Sequence, residues 1–114
     1  MAFSEFELKR IDKLVGGFCR GRSPAHLADQ LRLVYEIDGQ SVVLVEERPD
    51  WRDPSKRMRS SVAKLRFVRT TGRWTLYWKR ADLTWHAYRP AGPDTDLAAL
   101  VDVVDRDEYC VFFG

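Results

Sequence analysis

Cations set among flat rings form the most suggestive chemical pattern in this 114-residue chain. Lys64, Arg66 and Lys79 alternate with apolar residues, and Tyr77, His86 and Tyr88 are placed to share their face on neighbouring segments. Lysine and arginine meet phosphates while rings stack on bases, so such a strand face suits single-stranded nucleic acid or another polyanion. The preceding polar stretch adds Arg52, Lys56, Arg57 and Arg59, a basic loop able to close over a phosphate or an acidic partner. These residues also have a plain explanation. Alternating strands must turn something polar outward, and a charged loop discourages aggregation. No RNP-type motif sharpens the pattern.

Enzyme chemistry has thinner support. His86 with Arg66 and Tyr77 would outline a metal-independent ribonuclease, histidine being the usual acid/base near neutral pH. A helix followed by antiparallel strands bearing Asp38, Glu46, Glu47 and Lys64 is similar in outline to metal-dependent nuclease cores, where an acidic pair and a lysine converge on a divalent ion. The E-x-K triplet that such cores carry on one strand is absent, and Glu46 and Glu47 are better explained as strand-end partners of nearby arginines. The soft metal ligands Cys19, His26, His86 and Cys110 lack zinc-ligand spacing. Gly16, Gly17 and Gly21 fall at a helix end rather than between a strand and a helix start, which disqualifies them as a phosphate loop. There is no G-x-S-x-G elbow. The reading is non-enzymatic, with no metal and no cofactor implied.

Charge is segregated along the chain. The net charge is only +2, yet residues 48–80 hold 11 Lys/Arg against Asp50 and Asp53. Residues 1–47 stand at −2 and residues 81–114 at −5. The small total argues against a nucleic-acid coat protein, whereas the segregation leaves room for a local anion site. Acids on the C-terminal segment would offset the basic stretch only within about 8–10 Å. The length fits one domain, 1–114, with a core that needs no staples. Met1–Arg10 resembles neither a signal nor a transit peptide, and the longest apolar run, Val42–Val45, is far too short for a membrane span. Cys19 and Cys110, far apart in sequence, are expected to be free buried thiols in a cytoplasmic protein.

The elements that must position these residues follow from periodicity. Ser4 and Glu7 form a capping box, and Phe3 with Leu8 occupies the positions of a hydrophobic staple. Leu8, Ile11, Leu14, Val15 and Phe18 make one apolar stripe, predicting a helix over 5–19. Ser23-Pro24 suggests a short turn. Asp38-Gly39 signals a hairpin in which Tyr35 faces Val42 and Leu33 faces Leu44. Pro49–Ser60 is expected to be a loop. Strands at 62–69, 74–79 and 84–88 follow. An even first connection pairs Phe67 with Leu76 and Leu65 with Trp78, keeping Arg66 and Lys64 out of the core. The second connection, turning at Ala81-Asp82, sets Trp78 against Trp85 and Tyr77 against His86. The expected core face is then Leu65, Phe67, Leu76, Trp78, Trp85 and Ala87. Lys64, Arg66, Thr75, Tyr77, Lys79, Thr84, His86 and Tyr88 lie opposite. Pro93-Asp94 is expected to open a second helix through Leu97, Leu100, Val101 and Val104, with Asp96, Asp102 and Asp105 outward, and Tyr109–Phe113 to dock on the domain.

Several strings together resemble a bacterial family: Ala2–Glu7, Glu47-Arg48-Pro49, Trp51–Ser55, Trp74–Tyr88 and Phe112-Phe113-Gly114. That family is number three-thousand-and-twenty-four in the domain-of-unknown-function series. The resemblance spans nearly the whole chain and implies a bacterial cytosolic protein, without implying an activity, a cofactor or a catalytic residue. The expected architecture is α+β: an N-terminal helix, a five-stranded antiparallel meander and a C-terminal helix packed on the face that holds Leu33, Leu44, Leu65, Leu76 and Trp78. The leading function is binding of nucleic acid or another polyanion. A protein-interaction module acting as a homodimer, and a small nuclease, are the alternatives.

Overall fold

The computed structural model describes residues 2–23 and 31–113; Pro24 and His26, and with them the expected turn, lie outside the described residues. The chain opens as its capping signals require. The Ser4 hydroxyl accepts from the Glu7 N–H at 3.2 Å and the Glu7 carboxylate accepts from the Ser4 N–H at 2.8 Å, starting α1 (Glu5–Ile11). Helical backbone continues through a π-helical turn (Asp12–Gly16) into α2 (Gly17–Gly21), two residues beyond the predicted end. The wider π turn keeps Ile11, Val15 and Cys19, each four residues apart, buried together. Leu8 falls outside that stripe and remains 39% exposed, so the expected staple is replaced: Phe3 stacks on Trp74 at 5.7 Å and meets Phe67 at 6.5 Å.

Five strands follow in a simple antiparallel meander, β1 (Arg32–Asp38), β2 (Ser41–Pro49), β3 (Arg57–Val68), β4 (Arg73–Lys79) and β5 (Trp85–Ala87), in that spatial order. The first turn uses Gly39-Gln40 rather than Asp38-Gly39, because Gly39 takes the left-handed conformation (φ +58°) at the first turn position. Tyr35 therefore faces Leu44, and Ile37 faces Val42. The shift is two residues, so every side chain keeps its predicted face. The β3–β4 pairing shifts likewise, with Phe67 against Trp74, Leu65 against Leu76 and Ala63 against Trp78. The expected loop at Pro49–Ser60 is shorter, residues 50–56: β2 and β3 remain paired out to Pro49 and Arg57, aided by the Glu47–Arg59 ion pair across the ladder.

Two irregularities govern the faces. A bulge inserts Val62 between Ser61 and Ala63, so both Val62 and Ala63 are buried on the helix side while Ser61 and Lys64 turn away. The second lies at β4–β5. Leu83 adopts φ +63° after a turn closed by its N–H on the Arg80 carbonyl, and the Arg80 N–H donates to the Thr84 carbonyl. This is a three-residue hairpin loop with a left-handed last position, where a two-residue loop was expected. Tyr77 consequently meets Ala87, Trp78 meets His86 and Lys79 meets Trp85, a one-residue shift that exchanges the faces of β5.

Asp94 does not start a helix but bridges Trp74 through two backbone hydrogen bonds of 2.8 and 3.0 Å. Asp96 caps α3 (Leu97–Arg106) instead, its carboxylate accepting from the Ala98 N–H at 3.0 Å. Leu97, Leu100, Val101 and Val104 close the core over Ile11, Val15, Val42, Leu44, Leu65 and Leu76. The C-terminal segment docks as expected: Asp107 accepts from the N–H groups of Val111, Phe112 and Phe113, and Phe112 meets Tyr88 at 5.0 Å. Cys19 is buried, which pushes its thiol up to about 11, whereas Cys110 is exposed, contrary to the expectation of two buried thiols.

Gly16 is held where a Cβ would lie 2.6 Å from Asp12 Oδ1, itself bonded by the Tyr35 hydroxyl, and 3.1 Å from the Tyr35 ring. Gly17 has open space and helical φ. Gly16→Ala is expected to lower unfolding free energy by about 1–3 kcal/mol, the overpacking outweighing the gain in helix propensity. Gly17→Ala should raise it by up to about 1 kcal/mol; urea denaturation of both variants measures the contrast. Hydrogen bonds from Arg69, and then from Ser4, hold the Glu7 carboxyl down at about 2, below its ordinary 4.5. A depressed carboxylate contributes stability that is present above 4.5 and disappears as pH falls through about 2. The stability difference between the parent and Glu7→Gln should therefore be full at neutral pH and collapse between those values, as read by thermal melts across the acid range.

Candidate functional site

Among the described residues, helices cover only one side of the sheet. Parity and the Val62 bulge place Arg57, Arg59, Ser61, Lys64 and Arg66 along β3 on the other side, with Tyr77 and Lys79 beside them on β4 and Trp85 on β5. Lys64 Nζ lies 5.9 Å from the Tyr77 ring centre and Lys79 Nζ 5.3 Å from that of Trp85, both within cation–π range. Lys64, Arg66 and Lys79 have no carboxylate partner among the described residues.

The β1–β2 half of this face differs. Arg59 pairs with Glu36 and, at 3.1 Å, with Glu47, and Arg32 reaches Glu47 at 3.4 Å. Arg59 thus belongs to an internally compensated network rather than to the open cation set. Glu46 pairs with Arg48 on the helix side of the sheet, so Glu46 and Glu47 do not converge with Asp38 and Lys64 as a nuclease core requires.

Beyond Glu47 and Arg59 the β2–β3 hairpin continues as an arm with no further strand partner among the described residues. Its turn is organised by Asp53, which accepts from the Ser55 N–H and hydroxyl, and by the Lys56 N–H on the Asp53 carbonyl. The tip presents Trp51, 81% exposed, with the Arg52 guanidinium 5.2 Å from its ring, and Lys56 close by in the turn. Arg52 and Lys56 are therefore loop residues as expected, while Arg57 and Arg59 belong to β3. Trp51 was detectable as an aromatic stranded among charges, with no apolar periodicity around it.

His86 is not on the basic face. The exchanged faces of β5 put His86 and Tyr88 on the helix side, alongside Trp78, and bring Trp85 to Lys79 in their place. The ribonuclease constellation of His86, Arg66 and Tyr77 is thereby dissolved. His86 Nε2 lies 3.0 Å from Asp82 Oδ2 and 2.9 Å from Thr84 Oγ1. The Thr84 N–H, followed by the His86 ring, holds the Asp82 carboxyl at about 2. Tyr88 is buried, which raises its hydroxyl pKa. Around His86 opens a cleft of about 440 Å³ between β5 and the C-terminal segment, lined by Trp78, Arg80, Tyr88, Arg89 and Tyr109 among others.

The acidic α3 does not neutralise the basic stretch. Asp105 pairs with Arg22 at 2.9 Å and Asp102 with Arg106 at 3.0 Å. No helix among the described residues is long and apolar enough to cross a membrane. Residues 3–114 match the family model described as Domain of unknown function (DUF3024), and the chain belongs to that family. No curated protein and no solved structure gives a significant match.

One wall of the cleft depends on Asp107, whose carboxylate anchors three consecutive amides. In Asp107→Ala the amides of Val111, Phe112 and Phe113 are expected to exchange at least about tenfold faster, while those of β3 and β4 keep their protection. Hydrogen exchange followed by NMR reads both sets.

Proposed function

For this member of the DUF3024 family, we propose that the chain is a non-enzymatic, cytoplasmic module that binds single-stranded nucleic acid. Lys64, Arg66 and Lys79 engage phosphates, and Tyr77 and Trp85 offer their rings to bases. Arg52, Lys56 and Trp51 on the arm, with Arg57 on the last rung before its turn, extend the contact. The observation that carries this reading is that, among the described residues, Lys64, Arg66 and Lys79 have no carboxylate partner and lie beside two aromatic rings on the sheet face opposite the helices. Alternate residues on a strand lie about 6.7 Å apart, so Lys64 and Arg66 present two cations at regular spacing to an extended backbone. A flexible single strand conforms to such a row more readily than a duplex does. Arg59 contributes little, being held by Glu36 and Glu47.

A second reading, self-association, draws on one observation: Trp51 and Met58, 81% and 49% exposed, are large apolar side chains left uncovered on the same arm. A mass twice that of the chain in light scattering, lost in Trp51→Ala, would favour it.

The test for nucleic acid is a fluorescence titration with a 20-mer of deoxythymidine at several salt concentrations. Affinity is expected to fall with salt by about 0.7 log units per log unit for each phosphate contact. Lys64→Ala with Arg66→Ala should flatten that slope by about 1.4 and weaken binding at least about tenfold at low salt. His86→Ala should leave both unchanged. Absence of binding at low salt, or a double variant that binds like the parent, overturns the reading.

A further inference from the structure

We propose that the cleft between β5 and the C-terminal segment is a second, separate site, which takes a small phosphorylated aromatic molecule of nucleotide size. Its volume, about 440 Å³, falls within the range of small-ligand sites. Besides His86, three rings line it: Trp78 on β4, Tyr88 just after β5 and Tyr109 from the C-terminal segment. Tyr109 is 64% exposed although the residues that follow it are pinned, Phe112 against Tyr88 and the amides of 111–113 by Asp107. An open ring on a held backbone is suited to stacking on a planar ligand, since little ordering remains to be done on binding.

The rim is cationic. Arg80 places its guanidinium 5.6 Å from the Trp78 ring centre, and Arg89 lies on the segment leaving β5. Neither arginine has a carboxylate partner among the described residues. The acids nearby already have partners other than these arginines. Asp82 holds His86 and the Thr84 N–H, Glu108 pairs with Arg106, and Asp107 binds the C-terminal amides. Two open guanidiniums beside aromatic rings match a phosphate attached to an aromatic body, because the planar fork of arginine meets phosphate oxygens in pairs. An apolar molecule would leave the arginines unused, and a bare phosphate would leave the rings unused.

The site stands apart from the nucleic-acid reading. It opens on the His86 and Trp78 side of β5, while Lys79 and Trp85 face the other way. Its test is a titration of the full chain with AMP and with phenyl phosphate, followed by tryptophan fluorescence, with adenosine and inorganic phosphate as the half-ligands. Saturable binding of AMP or phenyl phosphate is expected, with each half-ligand at least tenfold weaker. Arg80→Ala with Arg89→Ala should weaken binding at least tenfold, and Tyr109→Ala, at an exposed position that folding does not need, should weaken it severalfold. Circular dichroism checks that both variants fold. Lys64→Ala with Arg66→Ala should bind these probes like the parent, so that failure of either site is read without the other. The proposal is overturned if neither phosphorylated probe saturates, if adenosine binds as tightly as AMP, or if the arginine and Tyr109 variants both retain parental affinity.

Discussion

Val42, Leu44, Leu65 and Leu76 form an apolar row across three neighbouring strands, and Ile11, Val15, Leu97, Leu100 and Val104 close over it. Each of the fully buried side chains contributes on the order of 1.5–3 kcal/mol relative to exposure. A strand that slipped by one residue would lose its share of that contact and turn charge inward, so the pairing of β2, β3 and β4 is tightly specified. The helices suffice to cover one side of the sheet. Lys64, Arg66 and Tyr77 face outward because their neighbours face in, which makes the uncovered face a consequence of core packing before it is anything else.

What that face can do is decided by local departures from regular pairing. The Val62 bulge lets β3 bury two consecutive residues and still return Lys64 and Arg66 to the outside. On the β1–β2 side, Glu36 and Glu47 meet Arg32 and Arg59, leaving that half balanced. Toward β4 and β5 no acid among the described residues answers Lys64, Arg66 and Lys79. One continuous sheet thus carries a neutralised half and a cationic half. The acids of α3 leave this unchanged, since Asp102 and Asp105 are held by Arg106 and Arg22, outside the basic stretch.

Alternation made most of this legible from the residues alone. Turn placement in the β1–β2 and β3–β4 hairpins shifts pairing by two residues, which moves partners and preserves faces, so the core row and the outward place of Lys64, Arg66, Tyr77 and Lys79 could be read without knowing either turn. The β4–β5 hairpin differs because its loop has an odd number of residues. Leu83 in a left-handed conformation is a costly choice for a non-glycine residue, and no local signal announces it. The Asp82 carboxylate on the Thr84 N–H and on His86, two and four residues along the chain, supports the loop. The arm escaped for a related reason: its strands are polar on both faces, held by ladder hydrogen bonds and the Glu47–Arg59 pair, so it lacks the apolar alternation that marks a half-buried strand.

The single-residue shift in β5 has a larger effect than the loss of His86 from one face. With only three residues, β5 presents Trp85 and Ala87 to the outer face and His86 to the helix side. Both sides of this edge therefore carry a ring next to a cation, Trp85 with Lys79 on one and Trp78 with Arg80 on the other. Had the loop been one residue shorter, Trp85 would have lain against Trp78 in the core, and His86 would have stood beside Tyr77. The cleft would then have no histidine and the outer face no tryptophan. The odd loop separates two aromatic–cationic surfaces that an even loop would have merged into one, and it does so without disturbing the β2–β4 core row on which the fold relies.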